Sequence, residues 1–163
     1  MIKLELQVLD VQVPEGTNVI IGQSHFIKSV EDLYETLATS CPSSKFGIAF
    51  CEASGKRLIR FEGNEDGLTK QAIDTCKQIA AGHVFVIYMK DSWPINVLNA
   101  IKNIQEVVNL YVATSNPVKL IIADLGESRS ILGVCDGFKP LGIENENDKK
   151  ERKELLRKIG YKL

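Results

Sequence analysis

Two histidines and one tryptophan carry the most specific chemistry available to this 163-residue chain. His25 lies in the run Gly22-Gln23-Ser24-His25-Phe26-Ile27-Lys28, between an expected strand and the start of an expected helix. Ligands of open α/β sheets bind beyond strand ends, and helix N-termini favour phosphate. An imidazole placed there can serve as nucleophile or proton carrier, with Lys28 supplying charge and Gln23 a polar contact. The competing reading is a histidine that only hydrogen-bonds a loop carbonyl. His83 follows Gly82 and opens a strand, at the opposite end of that strand from the loop Lys90 to Trp93. Provided the two strands run parallel, this favours His25 as the reactive histidine and leaves His83 a structural role, with a functional one as the alternative.

The loop Asp91-Ser92-Trp93-Pro94-Ile95-Asn96 has the composition of a nucleotide pocket. Its indole can stack on a base, Ser92 and Asn96 offer polar contacts, and Pro94 suits the first helical position. A helix cap carrying an interfacial tryptophan accounts for the same residues. The run Gly126 to Gly137 could bring Arg129 and backbone N–H groups to a phosphate, with Asp136 holding a metal or a hydroxyl. A β-hairpin with glycines at its bends is the alternative there. No G-x-x-x-x-G-K-[ST] run occurs, so this is not a P-loop protein. Cys41, Cys51, Cys76 and Cys135 form no C-x-x-C pair, and neither histidine stands at metal-ligand spacing from one. Three of the four cysteines sit in apolar surroundings, which favours small buried hydrophobes in a reducing cytoplasm over a catalytic thiol.

The elements that must position these residues follow from periodicity and punctuation. Ile2 to Val13 alternates apolar and polar, with Ile2, Leu4, Leu6 and Val8 on the face expected to be buried. Asn18 to Ile21 predicts a second strand. Ser29-Val30-Glu31-Asp32 predicts a helix start capped by the serine hydroxyl, and Pro42 closes that segment. Phe46 to Cys51 and Leu58 to Phe61 predict a hairpin. Asn64 is expected to cap a helix from Glu65 to about Ala81, with Gly82 as its left-handed stop. His83 to Met89 is nearly all apolar, as in a strand covered on both faces. Strands follow over Val107 to Ala113, Val118 to Ala123 and Ser130 to Val134, and a last basic helix over Asp148 to Ile159. Interleaved strands and helices predict one α/β domain spanning residues 1–163, a mixed β-sheet flanked by helices in three layers.

Composition narrows the function classes. Twenty Lys and Arg balance 21 Asp and Glu for a net charge of −1, so no global field draws in nucleic acid. The longest apolar run, Val84 to Met89, falls far short of the ~20 residues of a membrane helix. The N-terminal residues lack the features of a secretory signal, which gives a cytoplasmic expectation.

Long blocks of the chain resemble the adenosine-specific kinase family. These are His83 to Ile101, Gly22-Gln23-Ser24-His25-Phe26, Phe50 to Leu58, Ile131 to Phe138 and Leu155 to Tyr161. The resemblance implies a compact, homo-oligomeric α/β protein that binds adenosine or AMP and carries a phosphoryl group on a histidine, by the strand-end argument His25, with His83 as the alternative. The implied partners are adenosine or AMP/ATP, without nucleic acid or membrane. Magnesium would help neutralise phosphate charge, although no carboxylate cluster marks a site for it, and no tightly bound organic cofactor is expected. The word kinase rests on the resemblance, because the chain has neither a P-loop nor the protein-kinase motifs. A phosphotransferase needs turnover, whereas the rival, a nucleotide sensor, needs only a pocket. A structural subunit would leave the loop histidine without a role.

Overall fold

In the computed structural model, which describes residues 2–163, thirteen short elements follow one another. They are β1 (Glu5–Val11), β2 (Asn18–Ser24), α1 (Ser29–Ser40), β3 (Lys45–Cys51), β4 (Ile59–Gly63), α2 (Asp66–Ile79), β5 (Val84–Lys90), a 3-10 turn (Pro94–Asn96), α3 (Leu98–Lys102), β6 (Val107–Thr114), β7 (Val118–Asp124), β8 (Arg129–Asp136) and α4 (Glu146–Lys158). The apolar spacing of α1 and α2 and the apolar run of β5 therefore become the elements they predict.

The α/β architecture stands, but its strands pair differently from a single mixed sheet. One sheet has the order β4-β3-β5-β2-β6 and another the order β1-β7-β8. Every pairing is antiparallel. The helices do link strands of like direction, as their lengths suggest, but another strand always lies between. Helix α1 carries the chain from β2 to β3 with β5 inserted between them, and α2 carries it from β4 to β5 across β3. Hydrophobic patterning specifies the crossover but not which strand fills the gap.

The five-stranded sheet is covered on both faces, as β5 requires. On one side Ile20, Phe46, Ile48, Phe85 and Ile87 pack with Leu33 and Leu37 of α1 and Ile101 of α3. On the other, Ile21, Val86 and Tyr88 meet α2 together with Leu120, Ile122 and Ile131 of the smaller sheet. The three layers are thus helices, a sheet, and a second sheet with α2 beside it. Burial of each such aliphatic side chain contributes about 1.5–3 kcal/mol.

In β1 the alternation is real but its faces are reversed. Val11 is buried and Leu9 packs on the core, whereas Ile2, Leu4, Leu6 and Val8 are exposed. Helix α4 buries none of its residues, and Phe138, Leu141 and Ile143 before it are almost fully exposed. Two local corrections concern caps. Glu65, not Asn64, caps α2, and its left-handed C-cap is Ala80 rather than Gly82. The Asn64 amide instead ties the start of β3, accepting from the Phe46 N–H at 2.8 Å and donating to the Ser44 carbonyl at 2.9 Å.

Candidate functional site

Antiparallel pairing of β2 with β5 sets Gln23 opposite Val84. The Ser24 N–H then donates to the His83 carbonyl at 3.0 Å. The residues Gln23, His25, Lys28 and His83 therefore gather at one end of the large sheet. The premise that placed the two histidines at opposite ends, a parallel pair, does not hold, and the strand-end ground for choosing His25 goes with it.

The charge around His25 is already spent. His25 is exposed, and its N–H donates to the Glu106 carbonyl at 2.9 Å. Lys28 bonds Asp32, and its Nζ lies 3.7 Å from Glu106 Oε2. The Asp32 bond, followed by the charge of Glu106, raises the Lys28 pKa above its ordinary value. The side-chain contact with Glu106, followed by the hydrogen bond from Lys28, holds the Asp32 carboxyl below its own. The Ser29 hydroxyl, expected to cap α1, donates to Glu106 Oε1 at 3.0 Å instead. The first N–H groups of α1 also turn back, Ser29 to the Phe26 carbonyl and Val30 to that of Ile27, at 3.1 and 3.2 Å. Gln23 accepts from the Tyr111 hydroxyl at 3.1 Å.

His83 has a different setting. Its ring stacks on Phe50 with centroids 5.8 Å apart. Its N–H donates to the Cys51 carbonyl at 2.7 Å, and its backbone is left-handed, with φ of 65°. Non-glycine residues rarely hold that conformation, and such outliers gather at functional sites. The adjoining Gly82 borders a groove of about 720 Å³ between the β3–β4 hairpin, the end of α2 and the β7–β8 turn. Lys56 and Arg57 line this groove and join none of the ion pairs among the described residues. Glu52 in its wall is matched. Its carboxylate accepts from the Leu58 N–H at 2.9 Å and from Arg60 at 3.2 Å, which lowers its pKa, the Leu58 bond having the larger effect. A second groove, of about 610 Å³, shares Leu58 and Ile59 with the first and continues past Phe61 to Ile27 and Lys28. Phe61 and Leu58 are about half exposed there.

The tryptophan loop lies at the other end. β5 leads away from His83 to Lys90 at about 3.3 Å per residue, so roughly 20 Å separates the two ends. Trp93 and Pro94 line a cavity of about 650 Å³ with Asn18, Thr114 and Tyr161. Ser92 and Asn96 do not line it. Ser92 is buried, its hydroxyl 2.6 Å from that of Ser44 and its carbonyl accepting from Asn18. Asn96 caps the turn by accepting from the Trp93 N–H at 2.9 Å. Arg129 and Asp136 stand at opposite ends of β8 and cannot grip one phosphate within a chain. Arg129 lines the groove beside Gly82 but is pinned by the Gln78 carbonyl, Gln7 and Asp124. Asp136 accepts from Asn116 at the far end.

Sequence reasoning assigned no role to Glu106, Lys56 or Arg57. A glutamate after the polar Asn103-Ile104-Gln105 carries no sign of burial. The basic pair lay in the expected hairpin turn between Cys51 and Leu58 and in a block quoted for its resemblance, and neither reading gave it a chemical role.

The family described as adenosine specific kinase matches residues 9–162. Among solved structures, the crystal structure of the PH1918 protein from Pyrococcus horikoshii OT3 is 46% identical, covers 99% of each chain and superposes with a TM-score of 0.94. No curated protein matches the chain. Agreement that runs through nearly every element, including both histidine-bearing segments and the tryptophan loop, means that the chain belongs to the adenosine-specific kinase family.

Proposed function

We propose that this protein binds adenosine or AMP and transfers a phosphoryl group through a histidine at the end of the sheet where His25 and His83 meet. The observation that carries this reading is the Ser24–His83 hydrogen bond, which brings both histidines to one end of the sheet, where Gly82, next to His83, borders the groove that Lys56 and Arg57 line. In the transfer, an imidazole lone pair forms a P–N bond as the P–O bond to the leaving group of a nucleoside polyphosphate breaks. Charge on the phosphoryl oxygens then needs matched donors. Lys28 is paired with Asp32 and Glu106, so charge placement favours His83, whose neighbour Gly82 borders the groove lined by Lys56 and Arg57, over His25. The apolar stretch of Leu58, Phe61 and Ile27 offers the adjoining surface for a purine. Among the described residues no three His, Cys, Asp or Glu side chains converge on a metal site. Magnesium enters this proposal only as the counter-ion of a nucleotide.

The test is phosphate mapping by mass spectrometry under neutral conditions, on the wild type, His25→Ala and His83→Ala. The label is expected to persist in His25→Ala and to vanish in folded His83→Ala. The opposite pattern restores His25, and no acid-labile phosphate in any of the three rejects the transfer.

One observation favours a second reading, a non-catalytic adenine nucleotide sensor. The cavity between Trp93 and Tyr161 lies at the far end from both histidines, so a base stacked there is out of reach of phosphoryl transfer within one chain. Trp93 is the single tryptophan and is 58% exposed, which makes its fluorescence a direct reporter. Adenosine that quenches it, with binding lost in Trp93→Ala and retained in Phe61→Ala, supports the sensor.

We further propose a homo-oligomer. Leu6 and Val8 of β1 and Leu132 of β8 are exposed apolar residues on one small sheet, and Leu4 just before β1 is exposed as well. Light scattering should give a mass well above 18.1 kDa, and Leu6→Lys should reduce it; a wild-type monomer would reject the assembly. No helix among the described residues is long and apolar enough to cross a membrane.

A further inference from the structure

The floor of the large groove holds two thiols with no role in the proposed transfer. Cys51 ends β3, Cys76 lies in the last turn of α2, and both line the 720 Å³ groove. Although 25 residues apart in the chain, they touch: the Cys51 Sγ is 3.7 Å from the Cys76 carbonyl oxygen. We propose that Cys51 and Cys76 form a reversible redox pair, a modification site that closes to a disulfide when a hydroperoxide enters the groove.

The two sulfurs are not equivalent. Cys51 keeps a small exposed edge, at 6%, while Cys76 has none. The side-chain contact with Cys76 draws the Cys51 pKa below its ordinary value, against the effect of burial. The same contact, together with burial, pushes the Cys76 thiol well up. Cys51 is therefore the attacking thiolate, since the thiolate is the nucleophile and access decides which one reacts. Its lone pair takes the terminal oxygen of the hydroperoxide and the O–O bond breaks, leaving Cys51 a sulfenic acid and releasing water or an alcohol. Cys76 sulfur then attacks the Cys51 sulfur, the S–O bond breaks, and the departing hydroxide leaves as water with the Cys76 proton. Two thiols are oxidised and one peroxide is reduced. A dithiol reductant reverses the step by exchange.

Closing this bond has a structural reach. It ties the end of β3 to α2 beneath Lys56 and Arg57, one hydrogen bond away from His83, whose N–H donates to the Cys51 carbonyl. The segment that leads from α2 into β5 contains two left-handed residues, Ala80 and His83, so it has little freedom to absorb a shift of α2. The pairing depends on the groove alone and not on which ligand fills it. Cys41 and Cys135 lie elsewhere, half-buried and exposed, and their removal isolates the pair.

The experiment uses the whole chain carrying Cys41→Ser and Cys135→Ser, treated with a small excess of hydrogen peroxide under native conditions. It is then unfolded, alkylated and mapped without reduction. The expected result is a Cys51–Cys76 linked peptide, a loss of about 2 Da from the intact mass, and full reversal by dithiothreitol. Cys76→Ala added to this background should halt at a Cys51 sulfenic acid that dimedone captures. Two freely alkylated thiols after treatment, or Cys51 carried to sulfinic acid while Cys76 stays free, would overturn the proposal. The first measurement stands whether or not the Cys76→Ala chain folds.

Discussion

The Ser29 hydroxyl donates to Glu106 Oε1 at 3.0 Å, joining residues 77 positions apart where Glu106 is 3% exposed. This bond, with the His25 N–H on the Glu106 carbonyl, fastens the start of α1 and the His25 loop to the segment before β6. Truncation by Glu106→Ala leaves a buried hydroxyl without its acceptor, which costs about 1–3 kcal/mol. Glu106→Gln keeps an acceptor oxygen and should lose less. Urea denaturation of the two variants against wild type checks the order; equal losses would mean that the Ser29 bond contributes nothing.

The same cluster sets a pH dependence. Glu106 and then Lys28 hold the folded Asp32 pKa below its ordinary 3.8. A depressed carboxyl lends stability that is complete above the unfolded value and lost as pH falls through the folded one. Asp32→Asn should therefore melt below wild type near neutral pH, with the gap closing as pH falls below the ordinary carboxyl range. Thermal melts across the acid range follow this directly. A gap that persists unchanged at low pH would assign the loss to packing.

Helix α2 rests on β3 at a point where no side chain fits. A Cβ on Gly47 would come within 2.1 Å of the Thr69 nitrogen and 2.3 Å of the Leu68 carbonyl carbon, both backbone atoms. Gly47→Ala must push the helix off the sheet and is expected to cost about 1–3 kcal/mol, as overpacking does. Gly55→Ala, with open space around it but φ of 65°, should cost about 1 kcal/mol through backbone strain alone. Denaturant midpoints for the pair separate the two mechanisms.

Lys56 and Arg57 offer a test of charge without a test of fold. Lys56→Ala removes an exposed cation and should change stability by less than about 0.5 kcal/mol. Arg57 has φ of 52°, so Arg57→Gly removes the second cation while relaxing a left-handed backbone. The double variant is expected to keep the wild-type melting temperature and to acquire less acid-labile phosphate from a nucleoside triphosphate, by tenfold or more. Unaltered phosphate uptake would move the anion site away from this groove.

Sequence reasoning located elements well and their partners poorly. The continuous apolar run of β5 announced two covered faces, and Phe46, Phe85 and Leu37 do pack on one of them. What periodicity cannot carry is adjacency. The helix between β2 and β3 suggested neighbouring parallel strands, whereas β5, made 33 residues after β3 ends, slots between them. That one insertion brought His83 next to Ser24 and sent Trp93 to the far end. The tryptophan loop was legible as a turn with an aromatic at its tip, but Ser92 and Asn96 are used within it, because a short tight turn consumes its own polar side chains. The β1 faces were misread for a simpler reason: alternation gives two faces and, when both are apolar, not which one points inward.

The pairing of β1 with β7, Glu5 opposite Asp124 and Val11 opposite Val118, also dictates an order of events during synthesis. Once made, β1 has no partner until more than a hundred further residues have followed, a wait on the order of 10 s at roughly 5–20 residues per second. Throughout that interval its hydrogen-bonding edge and the alternating Leu4, Leu6 and Val8 are open to any other nascent strand. The five-stranded sheet, by contrast, draws all its strands from residues 18–114 and can close first. Translation speed and chaperone supply thus bear on the yield of this protein through β1, while the histidine-bearing end of the large sheet is assembled early and from neighbouring segments.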